Sequence, residues 1–130
     1  MRFSIPITAT PADIDELGHV SNLVYLRWVL DVAMAHSRAH GMDFDDYKAL
    51  GLVFIVRRHE IDYVMPVTVD QALVASTWVD DWKAASCTRR TELTRDGVVV
   101  MRAATQWVMM SLASNRPQRI PDQLRAKFAS

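Results

Sequence analysis

In the first eight residues Phe3, Ile5 and Ile7 alternate with polar or small neighbours, the two-residue period of a strand with one apolar face. Pro6 brings no donor to a sheet ladder, which predicts an edge position for that strand. Thr10 to Gly18 reads as a loop. From Asn22 to His40 neither Pro nor Gly occurs, and Arg27, Asp31 and Arg38 are spaced by four and seven, one narrow helical stripe. A helix polar on so thin a stripe is predicted to face protein over the rest of its circumference. At ~1.5 Å per residue it forms a rod of roughly 28 Å, the length of a small domain. Gly41 is its natural stop, and "DFDDYKALG" predicts a short acidic-capped helix ending at Gly51.

From Leu52 the pattern changes. "LVFIVRRHEIDYVMPV", "QALVASTWVDDW", "SCTRRTELTRDG" and "VVVMRAATQWVMMSL" are rich in β-branched and aromatic residues and predict four strands. The Asp-Gly pair in "RDGV", Arg95 to Val98, predicts a tight hairpin between the last two. Pro66 predicts a turn after Met65. The tail from Asn115 crosses the surface, with room for a short terminal helix. Strand, long helix, then four strands gives the α+β class: an antiparallel sheet of about five strands wrapped around one long central helix, in a single domain spanning residues 1–130. Both the odd and the even positions of Val98 to Met110 carry apolar residues, so both faces want cover and a homodimer or tetramer is expected.

Composition narrows the partners. Half of the 130 residues are hydrophobic, and 15 Lys and Arg balance 15 Asp and Glu. No global field draws the chain to nucleic acid or an anionic membrane, so neither is an expected partner. The single cysteine, Cys87, excludes an intramolecular disulfide and suits a reducing cytoplasm. No apolar run has the length of a signal peptide or a membrane span.

The candidate chemistry sits where "DIDELGHVSN" meets the long helix. Asp15, then Gly18, then a helix start near Asn22 sets a carboxylate within one loop of a cluster of unpaired backbone N–H groups. Two readings of that spacing are open. Asp15 attacks a carbonyl, or activates water against one, while the amides of Val20, Ser21 and Asn22 hold the developing oxyanion and Gly18 lets the backbone approach. Alternatively Asp13, Asp15 and Asn22 are loop and cap residues placed for the helix dipole. Elsewhere, His36 and His40 are four apart on one helix face but lack a third ligand, so a helix-end role is expected and no metal. His19 reads as a loop-organising or substrate-touching residue, and Glu60 as a reserve acid or base. Cys87 has no histidine or helix start beside it to make it a nucleophile. The four tryptophans, Trp28, Trp78, Trp82 and Trp107, read as core or interface mass.

The stretch "DIDELGHVSNLVYLRWVLDVA" resembles the signature of the hotdog-fold thioesterases of the 4-hydroxybenzoyl-CoA thioesterase family, D-x-D-x-x-G-H-V-N-N-x-x-Y-L-R-W. "HEIDYVMPVTVDQALVASTWV" is similar to that family's second and third strands, and "ATQWVMMSLASNRPQRIP" to its last strand and tail. The resemblance covers nearly the whole chain. It implies hydrolysis of an acyl-CoA or acyl-carrier-protein thioester at a site between two subunits, with no cofactor. Asp15 takes the place of the active-site aspartate, the helix-start amide near Asn22 polarises the carbonyl, and Gly18 shapes the loop. His19, Val20, Ser21 and Tyr25 fall in the substrate-lining part of the signature. The family's basic run for the CoA phosphates is thinned here to Lys83 in "KAASCTRR", with Arg89, Arg90 or the tail's Arg116 and Arg119 as substitutes. That loss leaves a non-catalytic acyl-binding module of the same fold as the alternative function. A dehydratase, needing a paired histidine and acid, finds only His19 or His59 with Glu60.

Overall fold

A computed structural model describes residues 2–129. The elements in chain order are β1 (Phe3–Thr8), α1 (Asn22–Ala39), α2 (Phe44–Ala49), β2 (Leu52–Tyr63), β3 (Ala72–Asp80), β4 (Ser86–Arg95), β5 (Val98–Ser111) and α3 (Asp122–Phe128). One further turn of tighter helix, Pro11–Asp13, lies in the segment expected to be loop. The five strands form one antiparallel sheet in the order β1-β3-β4-β5-β2, so β1, with its Pro6, is an edge as expected, and β2 is the other edge.

Each join follows from local chemistry. Ser21 caps α1, its hydroxyl accepting from the Leu23 amide, which serves one of the donors a helix start leaves over. Asp96 and Gly97 both take positive φ, 51° and 78°, the pairing a two-residue turn between right-twisted strands needs. Asp43 and Asp46 close a reciprocal capping box on α2. β2 ends at Tyr63, short of the expected run to Val67, because Val64 and Met65 both turn their amides to the Val100 carbonyl.

Two apolar clusters cover the inner face of the sheet, one under α1 and one under α3. The larger one gathers Val24, Tyr25, Trp28, Val29 and Val32 of α1 against Leu73, Ala75, Leu93 and Met101 of the strands. The smaller one lies under α3 and joins Met42, Leu52, Cys87, Met109, Ile120 and Phe128. Both parities of β5 reach cover within the chain, since Val100 and Val108 are buried along with Met101 and Met109. The apolar surface that stays open lies elsewhere. On α1, the stripe of Arg27, Asp31 and Arg38 also carries Leu23 (78% exposed) and Met34 (50%), so the helix does not face its own chain as fully as its sequence suggested.

Two features of the concave face position the site. A bulge between Val56 and Arg58 shifts the phase of β2, so that Phe54 faces inward before it and His59 and Ile61 after it. On β4 the inward side chains are Cys87, Arg89, Thr91 and Leu93, all buried. Arg89 therefore points under the helix.

Candidate active site

The signature loop is built from short-range bonds. Asp13 is 5% exposed; its carboxylate accepts from the Thr10 amide (2.9 Å) and hydroxyl (3.0 Å) and from Arg27 (2.8 Å). The Thr10 amide above all, and then Arg27, hold that carboxyl below the usual aspartate range against the opposing effect of burial. Asp13 thus clamps the loop to α1. The following residues form a narrow turn closed by a bridge between Ile14 and Val20, with the Asp15 amide on the His19 carbonyl (2.8 Å) and the Gly18 amide on the Asp15 carbonyl (3.1 Å). Gly18 has φ +82°, a conformation a side chain would strain.

Within this turn Asp15 is exposed, and one of its oxygens accepts from the Leu17 amide at 2.9 Å while the other has no partner among the described residues. The three amides expected to hold an oxyanion divide. Val20 donates to the Val67 carbonyl (2.8 Å) and Ser21 to the Asp13 carbonyl (2.9 Å), so both are committed to the fold. Asn22 alone of the three has no acceptor among the described residues. His19 is exposed at the turn, and the Ser21 hydroxyl is taken by its cap. Tyr25 is 3% exposed and packs edge-on against Trp28 and Tyr63, with its hydroxyl pKa raised by burial.

The other sequence candidates lie apart. Glu60 pairs with Arg58, and Arg90 pairs with Asp80 at 3.2 Å. Both line a shallow polar cleft with Asp62, Glu92 and Arg102 on the sheet face turned away from α1. Glu60 therefore does not join Asp15 within the chain. Lys83 is exposed on the loop after β3. Its distance from Asp15 follows from β3, which starts beside Ala9 at the Asp15 end and runs nine residues, roughly 30 Å at ~3.3 Å each, to the other end. Arg89 is not the solvated cation its sequence suggested: it is 6% exposed, and its Nη1 meets His36 Nδ1 at 2.8 Å and the Thr77 hydroxyl at 3.1 Å.

That last contact also corrects the expectation for His36. Its ring is 1% exposed, stacked on Phe3 and edge-on to Phe128 and His40, and burial first, then the Arg89 charge, lowers its pKa to about 4. A neutral ring accepting from a guanidinium cannot supply a positive charge to the helix end. Beside it lies a cavity of about 510 Å³ that the sequence did not reveal, walled by Met34, Phe54, Trp82, Cys87, Arg89 and Trp107 among others. It falls in the size range of small-molecule sites and is mostly apolar. Burial pushes the Cys87 thiol up to about 11, so it stands there as a neutral wall residue.

Comparison with known proteins agrees with this architecture. Residues 9–128 match the family model described as the thioesterase-like superfamily. The chain is 25% identical over 129 residues to the acyl-CoA thioesterase YbgC of Haemophilus influenzae, covering 97% of this chain and 93% of that one. Among solved structures it is similar to Slr0204, a 1,4-dihydroxy-2-naphthoyl-CoA thioesterase from Synechocystis, with a TM-score of 0.91, 15% identity, and 100% and 97% of the two chains covered. It is equally similar to SAV2348 from Staphylococcus aureus, solved in complex with CoA, with a TM-score of 0.91, 15% identity, and 98% and 81% covered. The sheet folded about α1 is thus the hotdog fold expected from the signature.

Proposed function

This chain belongs to the thioesterase-like superfamily and is a thioester hydrolase, and we propose that it cleaves acyl-CoA with Asp15 as nucleophile or general base. The observation that carries this reading is the presence of two groups without a partner among the described residues in the segment that opens α1: one carboxylate oxygen of Asp15 and the amide of Asn22. The Asn22 N–H, at the positive end of the α1 dipole, polarises the thioester carbonyl. Asp15 then attacks the acyl carbon or takes a proton from the water that does. In the net reaction the C–S bond breaks, the water oxygen stays on the acyl carbon, and the thiol leaves with a proton.

The site is completed by a second copy. β2 is an open edge on which Ile55 and Tyr63 are more than a third exposed, followed by Val64 and Met65. An isologous pairing of this edge is antiparallel and sets the Leu52 end of one β2 beside the Tyr63 end of the other. Tyr63 touches Tyr25 near the start of α1. The pairing therefore brings the partner subunit's Asp15 to the cavity and the Lys83 end of this chain, which one chain alone holds far apart. Lys83 and the exposed Arg116 are then the cations offered to the CoA phosphates, and the exposed Leu23 and Met34 stripe is the surface by which dimers join into tetramers.

The test is thiol release from a panel of aliphatic and aromatic acyl-CoAs, with Asp15→Asn beside the wild type. Turnover that falls at least ~100-fold in a folded variant supports the assignment; near-normal turnover removes Asp15 from the chemistry. Light scattering that returns a monomer overturns the shared site, and turnover of acyl-carrier-protein substrates alone replaces CoA as the thiol.

A further inference from the structure

Arg89 is a buried cation without a counter-charge. It joins no ion pair among the described residues, and the acidic groups whose fields reach it are the Cys87 thiol and the Tyr47 hydroxyl, both kept neutral by burial. A guanidinium offers five N–H donors. Here both protein acceptors, His36 and Thr77, fall on Nη1, leaving Nη2 and Nε without a partner among the described residues. Across the sheet, Trp107 stands opposite Cys87, two places from Arg89 on the inward face, and its indole N–H is buried with no acceptor among the described residues. Arg89 and Trp107 line the same 510 Å³ cavity, whose walls are otherwise mainly apolar, with Arg38, Asp43 and Asp45 as the other charged side chains on its lining.

Burying an unpaired charge is costly, and a planar guanidinium with free donors in an apolar cavity fits one kind of guest best. A carboxylate on an apolar stem matches it, since the fork of N–H groups takes two carboxylate oxygens side by side. We propose that this cavity receives the far end of the acyl group and that Arg89, aided by the Trp107 N–H, selects acyl chains ending in a carboxylate, the half-thioesters of dicarboxylic acids. This rests on the hydrolase reading above and names its substrate class. Arg89 acts there as a specificity-determining residue, remote from the bond that breaks. Its partner His36 presents a neutral acceptor and so leaves the cationic charge for the guest.

The deciding experiment uses non-hydrolysable CoA thioethers, so that binding is read apart from turnover. Matched pairs, one with a plain alkyl chain and one with a terminal carboxylate, run from the length of adipoyl to that of sebacoyl and are titrated calorimetrically into wild type and Arg89→Met. At the chain length that fits, the carboxylated member is expected to bind wild type at least ~10-fold more tightly, and Arg89→Met to erase or reverse that preference. No preference at any length in the wild type overturns the proposal, as does a preference that survives in Arg89→Met. Should Arg89→Met fail to fold, Arg89→Gln, which keeps an N–H for His36 and Thr77, carries the same comparison. If the preference is found while the corresponding thioesters are not turned over, the pocket assignment stands and the hydrolase reading falls.

Discussion

At the start of α1 a carboxylate, Asp15, stands in water with one oxygen free. At its other end a guanidinium, Arg89, stands 6% exposed with most of its donors unpartnered among the described residues. The first is held in a turn five residues long, closed by backbone bonds between Ile14 and Val20 and anchored by the Asp13 carboxylate. The second is held by the sheet, because the two-residue period of β4 leaves it no face but the inner one. On the proposed reading the contrast separates two duties, reaction at Asp15 and selection at Arg89. A reacting group needs access and tolerates mobility, whereas a selecting group must be dry to discriminate, since charge pairs gain strength as water is excluded.

The largest expected effect breaks one end without touching the other. Asp15→Asn lowers kcat for every substrate by about 100-fold or more while leaving the ratio between carboxylated and plain acyl chains unchanged; Arg89→Met moves that ratio with little change in the best kcat. Steady-state kinetics on both variants checks this, and a changed ratio in Asp15→Asn would mean that the two ends are not separable.

A smaller effect isolates the buried end by pH. The His36 pKa is about 4 when folded against 6.5 for a free ring, so the unfolded chain binds more protons between those values and stability falls as pH drops through that window. From pH 7 to pH 5 the loss is about 2 kcal/mol, and His36→Gln, which has no proton to gain, flattens that part of the profile in urea titrations at each pH. At the exposed end the comparable anchor is Asp13. Its lowered pKa stabilises the fold above the ordinary carboxylate pKa, and this contribution is lost as pH falls through the folded value. Asp13→Ala is expected to cost about 1–2 kcal/mol at pH 7 through the lost cap bonds and the Arg27 pair, measured by chemical denaturation. The smallest effect belongs to Gly18→Ala. Nothing among the described residues lies within 4 Å of the added Cβ, so only the positive φ opposes it, and about 1 kcal/mol, a few degrees in Tm, is expected.

The exposed end was legible in the sequence because its devices are local. Gly18 and the spacing of Asp13 and Asp15 before Asn22 specify a turn and a helix start from residues no more than a few places apart, although the cap falls on Ser21 rather than on Asn22. The strands and the hairpin at Asp96-Gly97 were legible for the same reason. The buried end depends on parity and on contacts across the sheet. Adjacent arginines in "CTRRTEL" must face opposite ways, and the run Cys87, Arg89, Thr91, Leu93 names the inward one, a signal that a general preference of arginine for solvent concealed. That His36 would lie against Arg89, 53 residues away, no local pattern contains. The bulge in β2 was equally hidden, since "VRRH" alternates acceptably in either phase and only the pairing with β5 decides it.

Pro6 carries a consequence for the crowded cell. A sheet open along two borders is a template on which strands can be added without limit, the route by which folded chains grow into fibres. In this sheet one border, β1, presents a ring where a donor would stand, while the other, β2, is free to bond. Two copies that join through β2 turn their proline-bearing borders outward and stop there. The chain can thus carry a sticky edge without the hazard of open-ended growth, and replacing Pro6 would expose that hazard.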